Sequence, residues 1–123
     1  GTPYIATHPD FNCPTETGYM PDIGAMIAFV AASTGRQPDV VIGKPNRFMV
    51  EMASSLLKIP LEEMCIIGDR LYTDIALGST AGITSVLVLS GESTIPDIDK
   101  SAFKPDYVFS DLGAVSEHLS TYF

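Results

Sequence analysis

Basic residues are scarce in this sequence, cysteines are few, and long apolar runs are missing. Seven Lys and Arg stand against fifteen Asp and Glu, for a formal net charge of −8, and the basic residues are scattered along the chain. Nucleic-acid backbones are bound by clustered positive charge, so we expect no nucleic-acid partner. The apolar runs are shorter than the roughly 20 residues that cross a bilayer, so we expect no membrane partner either.

The two cysteines, Cys13 and Cys65, form neither a Cys-x-x-Cys pair nor a zinc-like spacing. We expect reduced thiols and a cytoplasmic protein, because stabilising disulfides belong to oxidising compartments. With 123 residues, of which 46% are hydrophobic, the chain is long enough to bury one core. It begins with Gly1, and residues 3–6 already have the pattern of a strand. We therefore expect it to be a piece of a longer protein.

The first part of the chain has the pattern of a strand, a loop and a helix. The strand ends at Thr7, and a loop rich in Pro, Gly and Asn follows through Gly18. A helix is predicted from Pro21 and Asp22 to Gly35. Its apolar residues have the spacing of one helical face: Ile23, Met26, Ile27 and Val30. We place a domain boundary near residues 37–39.

The second part of the chain alternates between strands and helices. Apolar strands are predicted at residues 40–42, 64–67 and 84–89. These strands lack polar alternation, which is typical of a parallel sheet covered by helices on both faces. The helix after the first of them has a wide apolar side: Phe48, Met49, Met52, Ala53, Leu56 and Leu57. An α/β fold is completed by a loop at 90–104, a strand at 107–109 and a helix from about Asp111.

Two polar side chains follow successive strands of this predicted sheet. Lys44 comes one glycine after the strand at 40–42, and Asp69 comes one glycine after the strand at 64–67. Ligands of open parallel sheets bind beyond the carboxyl ends of the strands, where loops converge and helix N-termini point their amides at anions. We therefore expect Lys44 and Asp69 on the same rim of the sheet.

Asp69 and Asp74 lie five residues apart across a strand-to-helix turn, and together they form the predicted metal site. Mg²⁺ takes one or two carboxylates, several waters and phosphate oxygens, and an acidic chain needs such a cation to hold phosphate. Asp69 is the expected direct ligand. Asp74 would accept from a metal-bound water or from Lys44, and Lys44 would neutralise phosphate charge.

Each of these features also has a plain structural interpretation. Gly-Lys-Pro is a common turn, and an aspartate near a helix start, such as Asp74, is usually a cap. The two features together, at the ends of successive strands, favour a joint site.

The motifs resemble those of a known superfamily. Residues 43–45 (GKP), followed by residues 66–75 (IIGDRLYTDI), resemble the third and fourth motifs of the haloacid dehalogenase (HAD) superfamily, in its NagD-like or 4-nitrophenylphosphatase subfamily. Further segments resemble that subfamily in the same order: 4–10 (YIATHPD), 14–16 (PTE), 87–91 (LVLSG) and 104–108 (KPDYV). The resemblance covers nearly the whole chain.

The resemblance implies a fold and a reaction. The fold is a Rossmann-like core, a parallel sheet with flanking helices, that carries an inserted α/β cap. Residues 1–38 would be the C-terminal part of the cap, and residues 39–123 the C-terminal half of the core. Members hydrolyse phosphate monoesters of small metabolites through an aspartyl-phosphate, with Mg²⁺ as cofactor. Lys44, Asp69 and Asp74 would then be catalytic, and Lys44 would also bind substrate.

The chain departs from the family pattern at the nucleophile. The family motif is Asp-x-Asp after an apolar strand, whereas the Asp-x-Asp here, residues 97–99, follows Pro96 in a polar segment. We interpret it as surface loop and expect this chain alone to be inactive. Smaller departures are His8, where the subfamily commonly has Asn, and Glu92, where a small apolar residue is usual.

His8 and Asp10 correspond to a cap loop that faces the substrate in the subfamily, and they are the further predicted substrate-binding residues. His8 would contact a leaving group or act as a pH-sensitive lid residue. The alternative interpretation is an exposed histidine without a role. Cys13 has no base beside it and is interpreted as a passive loop residue.

A hypothesis of another class is that the chain is a non-catalytic phosphate- or metal-binding module that pairs with another chain. Half a sheet leaves an unpaired edge and uncovered apolar faces. We therefore expect self-association, or pairing with the missing N-terminal half.

Overall fold

Strands and helices alternate along most of the chain, as predicted. A computed structural model describes residues 1–122. The strands are β1 (Ile5–Ala6), β2 (Asn12–Thr15), β3 (Gly18–Pro21), β4 (Val40–Val41), β5 (Cys65–Gly68), β6 (Thr84–Val88) and β7 (Tyr107–Phe109). The helices are α1 (Ile23–Thr34), α2 (Phe48–Leu57), α3 (Ala76–Ala81), α4 (Ile95–Lys100) and α5 (Leu112–Tyr122). Among these described residues, none of the helices has the length and apolarity needed to cross a membrane.

The described strands form three sheets. β1 and β4 pair in parallel, β2 and β3 form an antiparallel hairpin, and β5, β6 and β7 form a parallel sheet in that order. One expectation is thereby corrected, because β4 and β5 are not neighbours in one sheet. An apolar run identifies a strand, but its partner is selected by contacts distant in sequence. The β1–β4 pairing crosses residues 37–39, and the division into residues 1–38 and 39–123 stays a prediction.

The first helix ends at Gly35 as predicted, but it begins at Ile23, with Asp22 as its cap and Pro21 in β3 instead of in the first helical turn. The Asp22 side chain caps α1 by accepting from the Ile23 N–H at 2.8 Å. Gly35 ends the helix with a φ of 71°, in the left-handed region that suits glycine. The hairpin of β2 and β3 begins in the predicted loop and extends to the predicted start of the helix. It was missed because most of its residues are exposed and give no apolar alternation.

The core lies around the three-stranded sheet. Ile75 and Leu87 are fully buried, and Leu71 completes their cluster under the Leu89, Ile98 and Phe103 side chains. A second cluster joins α2 to α3 and the start of β6 through Val50, Leu77, Ala81 and Ile83. The polar turn between β5 and α3 is therefore anchored from below by apolar packing.

The apolar side predicted for α2 is largely exposed. In this helix Val50 is buried, whereas Phe48, Met49, Met52, Leu56 and Leu57 have between 49% and 74% of their surface accessible. In α1, Met26 and Phe29 are similarly exposed. The sequence pattern marks an apolar surface, but it does not say whether this chain supplies the partner that covers it.

The predicted loop at 90–104 contains the helix α4, and this corrects the interpretation of residues 97–99 as loop. Asp97 accepts from the Thr94 N–H at 2.9 Å and completes a capping box at the start of α4. Hydrogen bonding by Thr94 lowers the pKa of Asp97. This exposed carboxylate caps its own helix, which fits a surface role rather than that of a nucleophile.

Candidate active site

Asp74 is the most buried carboxylate of the candidate site. It lies in a π-helical turn, Leu71–Ile75, that joins β5 to α3, and only 4% of its surface is accessible. Its two oxygens accept from Lys44 Nζ at 2.5 Å and from the Arg70 N–H at 3.1 Å. A methyl group at Gly68 would lie 2.3 Å from Asp74 Cγ, so the end of β5 has room for this carboxylate only because residue 68 is glycine.

Lys44 reaches this carboxylate from the other side of the site. It follows β4 by two residues, and 41% of its side chain is accessible. A carbon added at Gly43 would lie 2.5 Å from the Thr7 carbonyl oxygen, so the backbone before Lys44 packs tightly against the β1 segment. The structure therefore brings Lys44 and Asp74 together although β4 and β5 belong to different sheets.

Asp69 stands at the carboxyl end of β5, half-buried, as the sequence predicts. Its Oδ2 accepts from the Glu92 N–H at 2.8 Å, and its main-chain oxygen accepts from the Ser93 N–H at 3.1 Å. A Cβ at Gly91 would lie 2.1 Å from the same Oδ2. The segment after β6 thus positions Asp69 by two amides and by a missing side chain.

The donor set fits a hard cation through Asp69 more directly than through Asp74. Hydrogen bonds within residues 1–122 engage both oxygens of Asp74 but only Oδ2 of Asp69. The described residues contain no group of three or more His, Cys, Asp or Glu arranged to hold a metal. Mg²⁺ needs only one or two protein carboxylates when waters and phosphate oxygens complete its shell, and the carboxylate of Asp69 fits that need.

His8 lies against the backbone that leads to Lys44. Its Cβ would be 2.6 Å from a carbon added at Gly43. The ring lies between two carboxylates, with Nε2 3.5 Å from Asp22 Oδ1 and Nδ1 3.9 Å from Asp10 Oδ2. Within residues 1–122 the buried Nδ1 has no hydrogen-bond partner. The structure brings His8 and Asp10 together, and it places them beside the approach to Lys44.

Three residues at the site were given no role from the sequence. Arg70 Nε lies 2.7 Å from Glu92 Oε2, and the Tyr72 hydroxyl donates to Glu92 Oε1 at 3.0 Å. Two features of the sequence could have pointed to these residues. Glu92 departs from the family pattern, and the polar side chains of Arg70 and Tyr72 follow Asp69 in the motif.

The surroundings shift the pKa values of two of these groups, Tyr72 and Arg70. Burial raises the pKa of Tyr72, and the hydrogen bond to Glu92 raises it further. Burial by itself would lower the pKa of Arg70, but Tyr72 in its ionised form and the carboxylates of Glu92, Asp69 and Asp10 outweigh it, so this pKa is raised. Arg70 therefore stays fully charged beside Glu92.

These side chains border a cavity of about 570 Å³ that adjoins Asp69. Its lining combines the β5 and β6 loops with the β2–β3 hairpin: Asn12, Pro14, Tyr19, Asp69, Arg70, Tyr72, Gly91 and Glu92. Its volume is in the range of small-molecule sites, and Asp69 stands at its border.

The hydroxyl of Thr73 is buried in the π-helical turn, at 2% exposure, without a hydrogen-bond partner in residues 1–122. Thr73→Val should raise the free energy of unfolding by about 1 kcal/mol, because it removes an unpaired polar group at nearly constant shape. Urea unfolding followed by circular dichroism measures the change. Thr80→Val is the matched control and should lower the free energy of unfolding, because the Thr80 hydroxyl donates to the Ala76 carbonyl at 2.7 Å. A loss of stability in Thr73→Val would contradict the unpaired state.

Comparisons with known proteins agree with the geometry. A family model described as HAD-hydrolase-like matches residues 41–115. Ribonucleotide monophosphatase NagD of Escherichia coli K12 is 36% identical over 115 residues, which are 94% of this chain and 44% of that protein. The 4-nitrophenylphosphatase of Thermotoga maritima has a crystal structure with a TM-score of 0.90 and 50% identity, over 95% of this chain and 45% of that one.

A glycerol phosphate phosphatase of Mycobacterium tuberculosis, solved in complex with magnesium, has a TM-score of 0.85 and 32% identity over 94% of this chain and 35% of that one. The chain therefore spans less than half of the length of each protein named. The predicted α/β fold and the resemblance to NagD-like proteins and 4-nitrophenylphosphatases are confirmed. Since the family model covers more than half of the sequence, this chain belongs to the HAD-like hydrolase family.

Proposed function

We propose that this chain carries the Lys44, Asp69 and Asp74 part of the active site of a Mg²⁺-dependent phosphate monoester hydrolase. The contact of Lys44 Nζ with the buried Asp74 carboxylate carries this proposal, because it holds a cation beside the strand end that bears Asp69. Membership of the HAD-like family and the phosphatase names of the similar proteins support it.

The proposed roles follow from the hydrogen bonds. Asp69 would hold Mg²⁺ through a carboxylate oxygen, and the bound ion would polarise a phosphoryl oxygen as a Lewis acid. Asp74 keeps Lys44 oriented, and Lys44 neutralises the phosphate and draws it to the strand end. Asp74 would also accept from water in the metal's shell.

The nucleophile of the proposed reaction is an aspartate supplied from outside residues 1–123. Its attack on phosphorus would break the ester P–O bond, so that the alcohol leaves with a proton and an aspartyl-phosphate forms. Water would then hydrolyse this intermediate to inorganic phosphate and the free aspartate. The capping role of Asp97 in α4 supports this division of the site. The proposed substrate is a small phosphorylated metabolite, and the proposed location is the cytoplasm.

A partner surface belongs to the same proposal. β5 is an edge strand within the described residues, and its Cys65 and Ile67 side chains are exposed. The apolar side chains of α2 are exposed as well. Such an edge and such a surface favour pairing with the N-terminal half of the protein or with a second copy.

The purified chain should bind inorganic phosphate in the presence of Mg²⁺ without hydrolysing 4-nitrophenyl phosphate. Asp69→Asn should weaken the Mg²⁺-dependent binding at least tenfold, because it removes the charged ligand. Isothermal titration calorimetry measures the binding, and release of nitrophenolate measures turnover. Asp99→Asn, an exposed carboxylate of α4, is the matched control and should leave both unchanged.

Two outcomes would contradict this assignment. Phosphate binding that is equally tight with and without Mg²⁺ would show that the metal is not part of this site. Turnover by the chain alone would show that the nucleophile lies within these residues. Adding the N-terminal half of the Thermotoga maritima relative distinguishes a catalytic role of this chain from a purely binding role. A catalytic role predicts that the mixture hydrolyses 4-nitrophenyl phosphate and that Asp69→Asn abolishes this turnover.

A further inference from the structure

Glu92 is held at both of its carboxylate oxygens. Oε2 lies 2.7 Å from Arg70 Nε, and Oε1 accepts from the Tyr72 hydroxyl at 3.0 Å. Two fixed partners restrict a side chain that would otherwise turn freely into solvent, since 46% of it is accessible. The negative charge of Glu92 therefore has a defined position.

That position is beside the proposed metal ligand. The backbone N–H of Glu92 donates to Asp69 Oδ2 at 2.8 Å, so the two acidic residues are linked directly. Both border the cavity of about 570 Å³. A phosphate ester bound with its phosphoryl group at Asp69 and Lys44 would place its alcohol portion in this cavity.

The charges around the cavity favour a neutral alcohol portion. Arg70 is the one cationic residue among its lining residues within the described chain, and Glu92 already neutralises it. With Asp69 engaged by the proposed metal, the charges of Arg70 and Glu92 cancel, and the lining within the described residues offers no cation that is free to meet a second anion. A second anionic group on the ligand would meet Glu92 without a free cation, at a cost that the low dielectric of a partly enclosed site increases.

The same lining offers partners to hydroxyl groups. Glu92 can accept hydrogen bonds through its remaining lone pairs, the Asn12 amide can donate or accept, and the Tyr19 hydroxyl can do both. The Tyr72 hydroxyl, whose proton is donated to Glu92, can accept. The tyrosine rings also provide flat apolar surface for carbon-bound hydrogens.

We propose that Glu92, held by Arg70 and Tyr72, is a specificity-determining residue that selects phosphate monoesters with a neutral, hydroxylated alcohol portion over those with a second anionic group. This inference rests on the proposed function, because it assumes that the phosphoryl group binds at Asp69 and Lys44.

A matched pair of ligands tests it. Glycerol 3-phosphate and 3-phosphoglycerate have the same carbon chain, and they differ in that one carries a hydroxymethyl group where the other carries a carboxylate. In calorimetry with Mg²⁺, the chain should bind glycerol 3-phosphate about tenfold more tightly. Glu92→Gln should narrow this ratio about fivefold, mainly by strengthening the binding of 3-phosphoglycerate to the released Arg70.

Two further variants make the test decisive. Arg70→Gln should widen the ratio of the two affinities, because it leaves the charge of Glu92 without its partner. If the pair had a merely structural role, Glu92→Gln and Arg70→Gln would not change this ratio in opposite directions. Glu62→Gln, an exposed residue of the Leu61–Glu63 turn, is the control and should leave the ratio unchanged. Thermal unfolding shows whether each variant is folded. If the variant at one residue of the Glu92 and Arg70 pair fails to fold, the variant at the other residue decides the test.

The outcomes separate the two proposals. Equal affinity for the two esters, or a ratio that neither Glu92→Gln nor Arg70→Gln changes, would overturn the specificity role while leaving the proposed function in place. If inorganic phosphate also fails to bind with Mg²⁺, the proposed function falls, and the specificity role falls with it.

Discussion

Replacing Asp74 with alanine is expected to lower the free energy of unfolding by about 3 kcal/mol. The variant removes a carboxylate that is 4% exposed and that accepts from Lys44 Nζ and from the Arg70 N–H. Deleting one partner of a buried pair leaves the other charge uncompensated. Lys44 can turn partly into water, since 41% of its side chain is already accessible, and this keeps the expected loss at the lower end of the range for such pairs. Urea unfolding followed by circular dichroism measures it.

Asp74→Asn separates the charge from the shape. The amide oxygen can still accept from the Arg70 N–H, so we expect a loss of about 1–2 kcal/mol, smaller than that of the alanine variant. Both variants should also weaken Mg²⁺-dependent phosphate binding, because Lys44 loses the group that orients it. An alanine variant as stable as the original chain would contradict the structural role of Asp74.

Gly91→Ala should weaken Mg²⁺ binding by at least tenfold without removing any metal ligand. The new methyl group would lie 2.1 Å from Asp69 Oδ2, which is far closer than atoms can approach, so the Asp69 side chain must leave its present position. It would also lose its alignment with the Glu92 N–H, 2.8 Å away. Calorimetric titration of the chain with Mg²⁺ and phosphate measures the effect.

Gly113→Ala is the matched control for that experiment. Gly113 lies in α5, and a methyl group there would come no closer than 3.0 Å to a side-chain oxygen of Asp111. Alanine in place of glycine favours a helix, so this variant should keep full binding and lose no stability. If Gly91→Ala binds Mg²⁺ as well as the control does, the carboxylate of Asp69 is not the metal ligand.

The places of the candidate site residues in the fold could be predicted because these residues are tied to local patterns. Lys44 and Asp69 each follow a glycine after an apolar run, and Asp74 stands at a fixed spacing from Asp69. Those spacings are short, so the turn that they specify forms from neighbouring residues. The distance between Lys44 and Asp74 was not predictable in this way, since 30 residues separate them.

Strand pairing and the cluster around Glu92 show where local patterns end. The apolar run at Val40 predicts a strand, but only the structure pairs it with β1 instead of β5. Glu92 stood out in the sequence as an unusual residue, and its contacts with Arg70 and Tyr72 join segments about 20 residues apart. Periodicity predicts neither the strand that pairs with β4 nor the residues that contact Glu92, because it describes one segment at a time.

The sequence by itself determined the α/β class, the C-terminal end of α1 and the positions of the motif residues, since capping, periodicity and glycine placement act over a few residues. Only the tertiary structure showed that Lys44, one of the two partners expected for Asp74, is in contact with it, that Gly91 leaves room for Asp69, and that Glu92 neutralises Arg70. These contacts depend on how separate segments pack around one core, and the energy that selects them comes from burial and charge pairing between residues distant in the chain.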